Sequence, residues 1–400
     1  MGREILLVDD APEERGQLVG GLHRQCPDWN VSVADSAAFA REHLDRQPFD
    51  AVLADQIMPG HGGVEVLEQV RRRSPGALRV LLISHYNFKT VLPAMEVAHQ
   101  CVPKPLQLDA LRDTLHRAFR LRDLVADDRL QRRIAQTRTL PPLPRLYLAF
   151  LEEARKCQPS LERLSAIVQQ DPGLCSKMLQ LANSAYFVMP RRIADPGDAL
   201  VYLGLETVKA IVHGLNVFVL VESNGKDPGR REDLWRHSWR TALIARRLAS
   251  LEQLPDQTIG EAATAGLLHD VGKWILTPGL DPESDAAIQM AAMKTGALWR
   301  AEMDVLGVSH AEVGACLLAS WGLPDPVVEA VAFHHQPAAA PASNGNLPLV
   351  VHVASHLAHV TQGNPRGDIP SSIDLEHLER VQLKHRLKAW KAAARECRMD

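Results

Sequence analysis

The chain has 400 residues, of which 46% are apolar and 23% charged, with a formal charge of −3. That length suits two or three domains with separate cores, and the composition excludes a disordered or fibrous chain. So small a net charge gives no global field for nucleic acid or an anionic membrane. Six cysteines scattered without a C-x-x-C pair argue against a disulfide framework and a zinc ribbon, so reduced cytoplasm is the expected location. The opening "MGREILLVDD" sets charges beside its apolar run, and no run of about eighteen apolar residues occurs. Neither a signal peptide nor a membrane span is expected.

In chain order, "EILLVD", "VSVAD", "DAVLAD", "RVLLIS" and "CVP" are short β-rich runs separated by amphipathic stretches, all within residues 4 to 120. This alternation predicts a parallel sheet with helices on both faces, an α/β doubly wound domain over 1–120. The charged stretch "LRDLVADDRLQRRIAQTRT" predicts a helical linker over 121–139, and "LPPLP" at 140–144 stops it. From there on the periodicity is that of helices, which predicts an all-α domain over 140–362. Asp171 is read as the N-cap before Pro172, "SHAE" at 309–312 as a capping box, and "LPDPVV" as a second Asp-Pro start. Residues 363–400 form a C-terminal extension in which Leu375, Leu378 and Val381 show amphipathic spacing. It either caps the domain or pairs two subunits into a homodimer.

Asp9 and Asp10 close the first strand, Asp55 the third and Ser84 the fourth, while Lys104 follows the fifth. In an open parallel sheet these strand ends border the ligand crevice, where strand order reverses. Clustered carboxylates repel one another unless a hard cation takes up the charge, and oxygen ligands describe Mg²⁺. With metal and ammonium on the phosphate oxygens, one carboxylate can serve as nucleophile toward phosphorus.

The segments "LLVDD", "FDAVLADQIMPGHGG", "VLLIS" and "VPKP", in this order, resemble the receiver domain of two-component response regulators. The resemblance implies a flavodoxin-like five-stranded sheet with Asp55 as phosphoacceptor. It also implies Mg²⁺ on Asp9, Asp10, Asp55 and the Ile57 carbonyl, Ser84 and Lys104 on the phosphoryl oxygens, and a cis Lys104–Pro105 bond. Two positions depart from the family: His85 stands where a small residue is usual, and Cys101 where the switching aromatic is usual. Cys101 reads as a small buried hydrophobe rather than a redox sensor.

Farther along, His237, His269, Asp270, His310, His334 and His335 offer imidazoles and a carboxylate of the kind that bind transition metals. Neighbours on a helix point about 100° apart, so His269 and Asp270 serve one cluster only if it spans both directions, as a two-metal site does. The alternative for each histidine is a core residue bonded to backbone. Gly272-Lys273 reads as a solvated pair, because a lone Gly-Lys without a glycine-rich loop is a weak phosphate signal. His352, His356 and His359 share one helical face, as a polar surface or a source of a replacement ligand.

The order H, HD, late acid is similar to the HD superfamily of metal phosphohydrolases, but Ser355 stands at the expected acidic position in "LPLVVHVASHLAHV". The Gly-Tyr-Pro motif of cyclic-dinucleotide phosphodiesterases is also missing after "HHQP". "SAIVQQDPGLCSKMLQLANSAYF", "LWRHSWRTALIARRLA", "AGLLHDVGKWIL" and "GVSHAEVGACLLASWGLPDPVVEAVAFHHQP" together resemble an HDOD domain, an HD-related output module. The resemblance implies a response regulator with a non-catalytic, protein-interacting output domain, a sensor histidine kinase upstream and a signalling protein downstream. Direct nucleic-acid or membrane contact is not expected. The alternative is a receiver-regulated, metal-dependent phosphodiesterase acting on a cyclic nucleotide or dinucleotide.

Overall fold

Strands buried on both faces read as unbroken apolar runs, and the chain opens with them. In the computed structural model, β1 (Arg3–Val8), β2 (Trp29–Ala34), β3 (Ala51–Asp55), β4 (Leu78–Ile83) and β5 (Gln100–Pro103) form one parallel sheet in the order β2-β1-β3-β4-β5. Every residue of β3 and β4 is buried. Described are residues 2–60, 62–84, 94–95, 97–137, 140–183, 192–205, 208, 228–276, 282–341, 346–362 and 372–397. The chain divides into two compact units: Met1–Arg138 with Gln180–Arg192 and Ala319–Gly322, and Thr139–Leu179 with Ile193–Leu318 and Leu323–Asp400.

In the first unit, Val8 lies opposite both Ala34 and Ala54, so Asp9 and Asp55 emerge side by side where strand order reverses. Helices Pro12–Gln25, Ala37–Arg46, Gly63–Arg73 and Leu108–Arg122 cover the faces. The core joins Leu18, Leu22, Leu111, Leu115 and Phe119 to Ile5, Leu53 and Val80. The stretch expected as one linker helix holds the end of Leu108–Arg122, a turn, and a separate helix Asp128–Gln136, whose start Asp127 caps through the Arg129 and Leu130 N–H groups. That second helix buries Leu130, Ile134 and Ala135.

The second unit is helical. Asp171 accepts the Leu174 N–H at 2.9 Å and, through its other oxygen, the Leu143 N–H at 2.8 Å, tying the proline-rich stop to the next helix. Glu312 accepts the Ser309 N–H at 2.7 Å, one arm of the capping box. The Asp-Pro start at 325 differs from expectation: Pro324 holds the cap position without a side-chain bond, and Asp325 is already helical. Helices Pro228–Leu251 and Asp256–Leu268 cross at Gly266, where a Cβ would come within 3.0 Å of Ala242 Cα and the Thr241 carbonyl. Helix Leu387–Glu396 packs on Pro228–Leu251 and Leu347–Gln362. It buries Trp390, whose indole N–H donates to Glu252 at 2.7 Å. The extension therefore uses its apolar face within the chain. Among the described residues, no helix is long and apolar enough to cross a membrane.

Candidate functional sites

At the carboxyl edge of the sheet, the Lys104 ammonium donates to Asp9 and Glu14, each at 2.8 Å, and to Asp55 at 2.5 Å. Asp9 and Asp55 are buried. Burial opposes the charge on Lys104, but its bonds to the three carboxylates outweigh that and hold its pKa above the usual lysine value. Asp55 Oδ1 accepts the Ile57 N–H at 3.2 Å and lies 3.5 Å from Ser84 Oγ. Gly63 makes room for this arrangement, since a Cβ there would fall 2.1 Å from the Asp55 carbonyl oxygen. The Lys104–Pro105 bond is cis.

The carboxylates whose oxygens lie within 4.8 Å of one another are Asp9, Glu14 and Asp55. Glu14, two residues into the helix that follows β1, was not singled out from the sequence, because an acid in a first helical turn reads as a dipole partner. Asp10 is not in that set. Three acids around one ammonium suit a hard divalent cation that would share the charge Lys104 carries. Cys101 is buried, and burial pushes its thiol up to about 12, so it behaves as a small hydrophobe. His85 lies outside the described residues.

In the helical unit, all six metal-ligand candidates converge. His310 Nε2 lies 3.2 Å from Asp270 Oδ1, His269 Nε2 3.4 Å from Asp270 Oδ2, and His334 Nε2 4.0 Å from Oδ1. His335 and His310 meet at 2.9 Å, His237 and His269 at 3.2 Å. Two sets of three emerge, His237 with His269 and Asp270, and His310 with His334 and His335. The close approach depends on Gly272, where a Cβ would fall 1.9 Å from the His310 carbonyl oxygen. Lys273 is not solvated: its ammonium bonds Asp270 Oδ2 at 2.7 Å.

Backbone carbonyls fix the rings. His269 Nδ1 donates to Gly266 and His334 Nδ1 to Val331, both at 2.8 Å, which turns each Nε2 lone pair toward Asp270. Glu302, a buried acid with no motif to mark it in the sequence, takes the same part for His310 at 2.6 Å. Burial, with neighbouring positive charge, holds His237, His269, His334 and His335 below the usual imidazole value. Burial also works against charge on Asp270, but the adjoining imidazoles and Lys273 keep its carboxyl well below the ordinary range. Those four neutral imidazoles are in the protonation state a divalent metal requires, whereas His310, although burial opposes its charge, is raised by Glu302 and Asp270 on either side. His334 Nε2 is buried without a hydrogen-bond partner, as an atom facing a cation would be.

Ser355 Oγ sits 3.3 Å from the Nε2 atoms of both His237 and His269, so a hydroxyl stands in the cluster at the position where the HD-like order predicts an acid. His352 is neither surface nor replacement ligand. It is buried, with Nδ1 on the His334 carbonyl at 2.7 Å and Nε2 accepting the Asp374 N–H at 3.0 Å. His359 stacks on His237 with ring centroids 3.9 Å apart.

A sheet whose acids meet one lysine at the strand-order reversal, followed in the chain by an HD-like histidine cluster, defines a receiver joined to an HD-related domain. The model of the response regulator receiver domain matches residues 5–116, and that of the HDOD domain matches 140–337. The chain is a receiver–HDOD protein of the response regulators. It is similar to an uncharacterized protein of Treponema pallidum (strain Nichols), 28% identical over 251 residues, 62% of this chain and 48% of that one. Response regulator protein PilR of Pseudomonas aeruginosa is 30% identical over 127 residues, 32% of this chain and 28% of PilR. The chain thus spans less than half the length of these curated relatives. Among solved structures, the MmoQ response regulator of Methylococcus capsulatus is 22% identical, covers 64% of this chain and 98% of its own, and superposes with a TM-score of 0.46. A virulence factor of Campylobacter jejuni is 20% identical, covers 70% and 98%, and gives the same score of 0.46.

Proposed function

We propose that this response regulator accepts a phosphoryl group on Asp55 from a sensor histidine kinase in the cytoplasm, and that its HDOD domain is a non-catalytic platform for a downstream signalling protein. The observation that carries the first half is Lys104 lying between Asp9 and Asp55. Mg²⁺ held by Asp9 and Asp55, with Asp10 and the Ile57 carbonyl as further donors, would neutralise the incoming phosphate. Lys104 and Ser84 would bind its oxygens. The added charge then alters the surface near β4 and β5 that meets the partner. Ser355 supports the second half, since a hydroxyl supplies no anionic bridge between two cations. The test is a pull-down from lysate with beryllofluoride-treated and untreated protein. Captured proteins should differ in wild type and not in Asp55→Asn; identical sets in wild type contradict the switch.

The buried His334 Nε2 without a partner, facing Asp270, favours a second reading, a metal-dependent phosphodiesterase. His237, His269, Asp270, His310, His334 and His335 would hold the metal, which would activate water for attack on a cyclic nucleotide or dinucleotide. Bound metal together with cyclic di-GMP hydrolysis that His269→Ala abolishes would establish it in place of the platform.

A further inference from the structure

A cavity of about 220 Å³ lies in the helical unit, away from the histidines. It opens between helices Leu161–Val168, Pro228–Leu251 and Asp256–Leu268 and the start of Pro196–Leu203. Two of these helices also carry the histidine cluster, but from other faces. Arg246, in the cavity wall, is about two and a half turns beyond His237 and so points the opposite way.

The walls combine three kinds of chemistry. Trp239 supplies an aromatic face, propped by Trp235 with ring centroids 5.4 Å apart. Trp235 is itself fixed, because its indole N–H donates to the Gln170 carbonyl at 2.7 Å. At the rim stand Arg246 and Asp195, whose Nη2 and Oδ2 atoms are 3.3 Å apart. That is long for a charge-assisted bond, which usually closes to about 2.7–2.9 Å. Asp195 Oδ1 is engaged with the N–H groups of Gly197 and Asp198, which capping requires, leaving Oδ2 as the oxygen that turns to Arg246. The Arg246 side chain is 43% exposed, so the rim reaches solvent. Leu267 and Ala263 complete an apolar interior.

A flat ring stacked on an indole, read by a guanidinium fork and an adjacent carboxylate, is the recognition chemistry of guanine. Guanine presents two acceptors, O6 and N7, to a guanidinium. Its N1–H and N2–H donors lie on the neighbouring edge, toward Asp195 Oδ2, the carboxylate oxygen that capping leaves to accept one of them. Adenine puts an amino group where O6 would be and turns a donor toward the arginine. A cavity smaller than the roughly 300–1,000 Å³ of drug-sized sites suits one base with its sugar and phosphate toward solvent.

We infer that this cavity binds the guanine base of a nucleotide, stacked on Trp239 and read by Arg246 and Asp195. The site is separate from the phosphoryl-accepting and histidine sites, and its fate does not depend on theirs. Calorimetric titration of the full chain with GMP, AMP and cyclic di-GMP tests it. GMP should bind with Kd below about 1 mM and AMP at least ~10-fold more weakly, the loss of one good bidentate contact. Cyclic di-GMP binding as tightly as GMP or more so identifies a dinucleotide as the source. Its exclusion while GMP binds identifies a mononucleotide. Arg246→Met, Trp239→Ala and Asp195→Asn, the last keeping a capping oxygen, should each weaken GMP by ~10-fold or more with unchanged circular dichroism. Should a variant misfold, the wild-type comparison of GMP with AMP decides. Absence of binding by both guanine compounds, equal affinity for AMP, or folded variants that bind GMP like wild type overturns the assignment.

Discussion

Arg79 and His99 share one acceptor: Arg79 Nη2 donates to the Ala135 carbonyl at 2.8 Å, and His99 Nε2 meets the same oxygen at 2.9 Å. Both side chains are buried, and Arg79 also donates through Nε to the Val97 carbonyl at 2.7 Å. Burial, followed by the charge of Arg71, brings the Arg79 pKa down to about 10, so it stays cationic at neutral pH. A guanidinium at the last turn of helix Asp128–Gln136 meets the negative end of its dipole. Arg79→Met takes the guanidinium donor from the buried Val97 carbonyl and leaves the Ala135 carbonyl to His99 alone, which costs about 1–3 kcal/mol. We expect the denaturant midpoint of the receiver to fall and amide exchange over residues 130–136 to speed up. Unchanged exchange there would show that the contact does not hold the helix.

His99 gives the same contact a pH dependence. Its Nδ1 accepts the Arg79 N–H at 3.0 Å, so the ring is neutral and Nε2 carries the proton offered to Ala135. Burial first, and then the Arg79 charge, hold its pKa well below the usual imidazole value. A histidine with a lowered folded pKa takes up its proton more readily when unfolded. Its contribution is constant above about pH 6.5 and is lost as pH falls below it, at no more than about 1.4 kcal/mol per pH unit. Wild type should therefore lose stability between pH 6.5 and 5 faster than His99→Gln; parallel curves would contradict this protonation state.

Lys104 neutralises two buried carboxylates at once. Lys104→Ala leaves Asp9 and Asp55 uncompensated, and breaking such a pair costs about 3–5 kcal/mol. Millimolar Mg²⁺ should restore much of the loss by taking the place of the ammonium, as thermal melts with and without Mg²⁺ will show. A variant as stable as wild type without metal would mean that the acids do not depend on this lysine.

The receiver was legible because its chemistry sits at strand ends, where short buried strands give both the element and its last residue: Asp55 ends β3 and Lys104 follows β5. The histidine cluster was legible as a set of ligand types but not as a geometry. Lys273 reads as solvated until the Gly272 contact brings Asp270 and its neighbours inward. Glu302 and the Arg79–His99 pair stayed hidden for one reason. An isolated charge in an amphipathic helix or at a strand start looks like surface, and only the approach of a distant segment buries it.

Ser355 offers a direct probe of the histidine cluster. An acid at this position would stand beside the two imidazoles now 3.3 Å from its hydroxyl. Ser355→Asp should raise affinity for Zn²⁺ or Mn²⁺ by at least ~10-fold, judged against what metal-site partners contribute. Elemental analysis of protein dialysed against each metal measures it. Equal metal content in the two proteins would indicate that the missing carboxylate is not what limits binding.

The proposed switch begins with a phosphoryl group on Asp55. Intact and peptide mass spectrometry after incubation with a small-molecule phosphodonor and Mg²⁺ tests it most directly. One phosphoryl adduct is expected, located on Asp55, dependent on Mg²⁺ and missing from Asp55→Asn. An unmodified Asp55 peptide, or an adduct that persists in that variant, would contradict it.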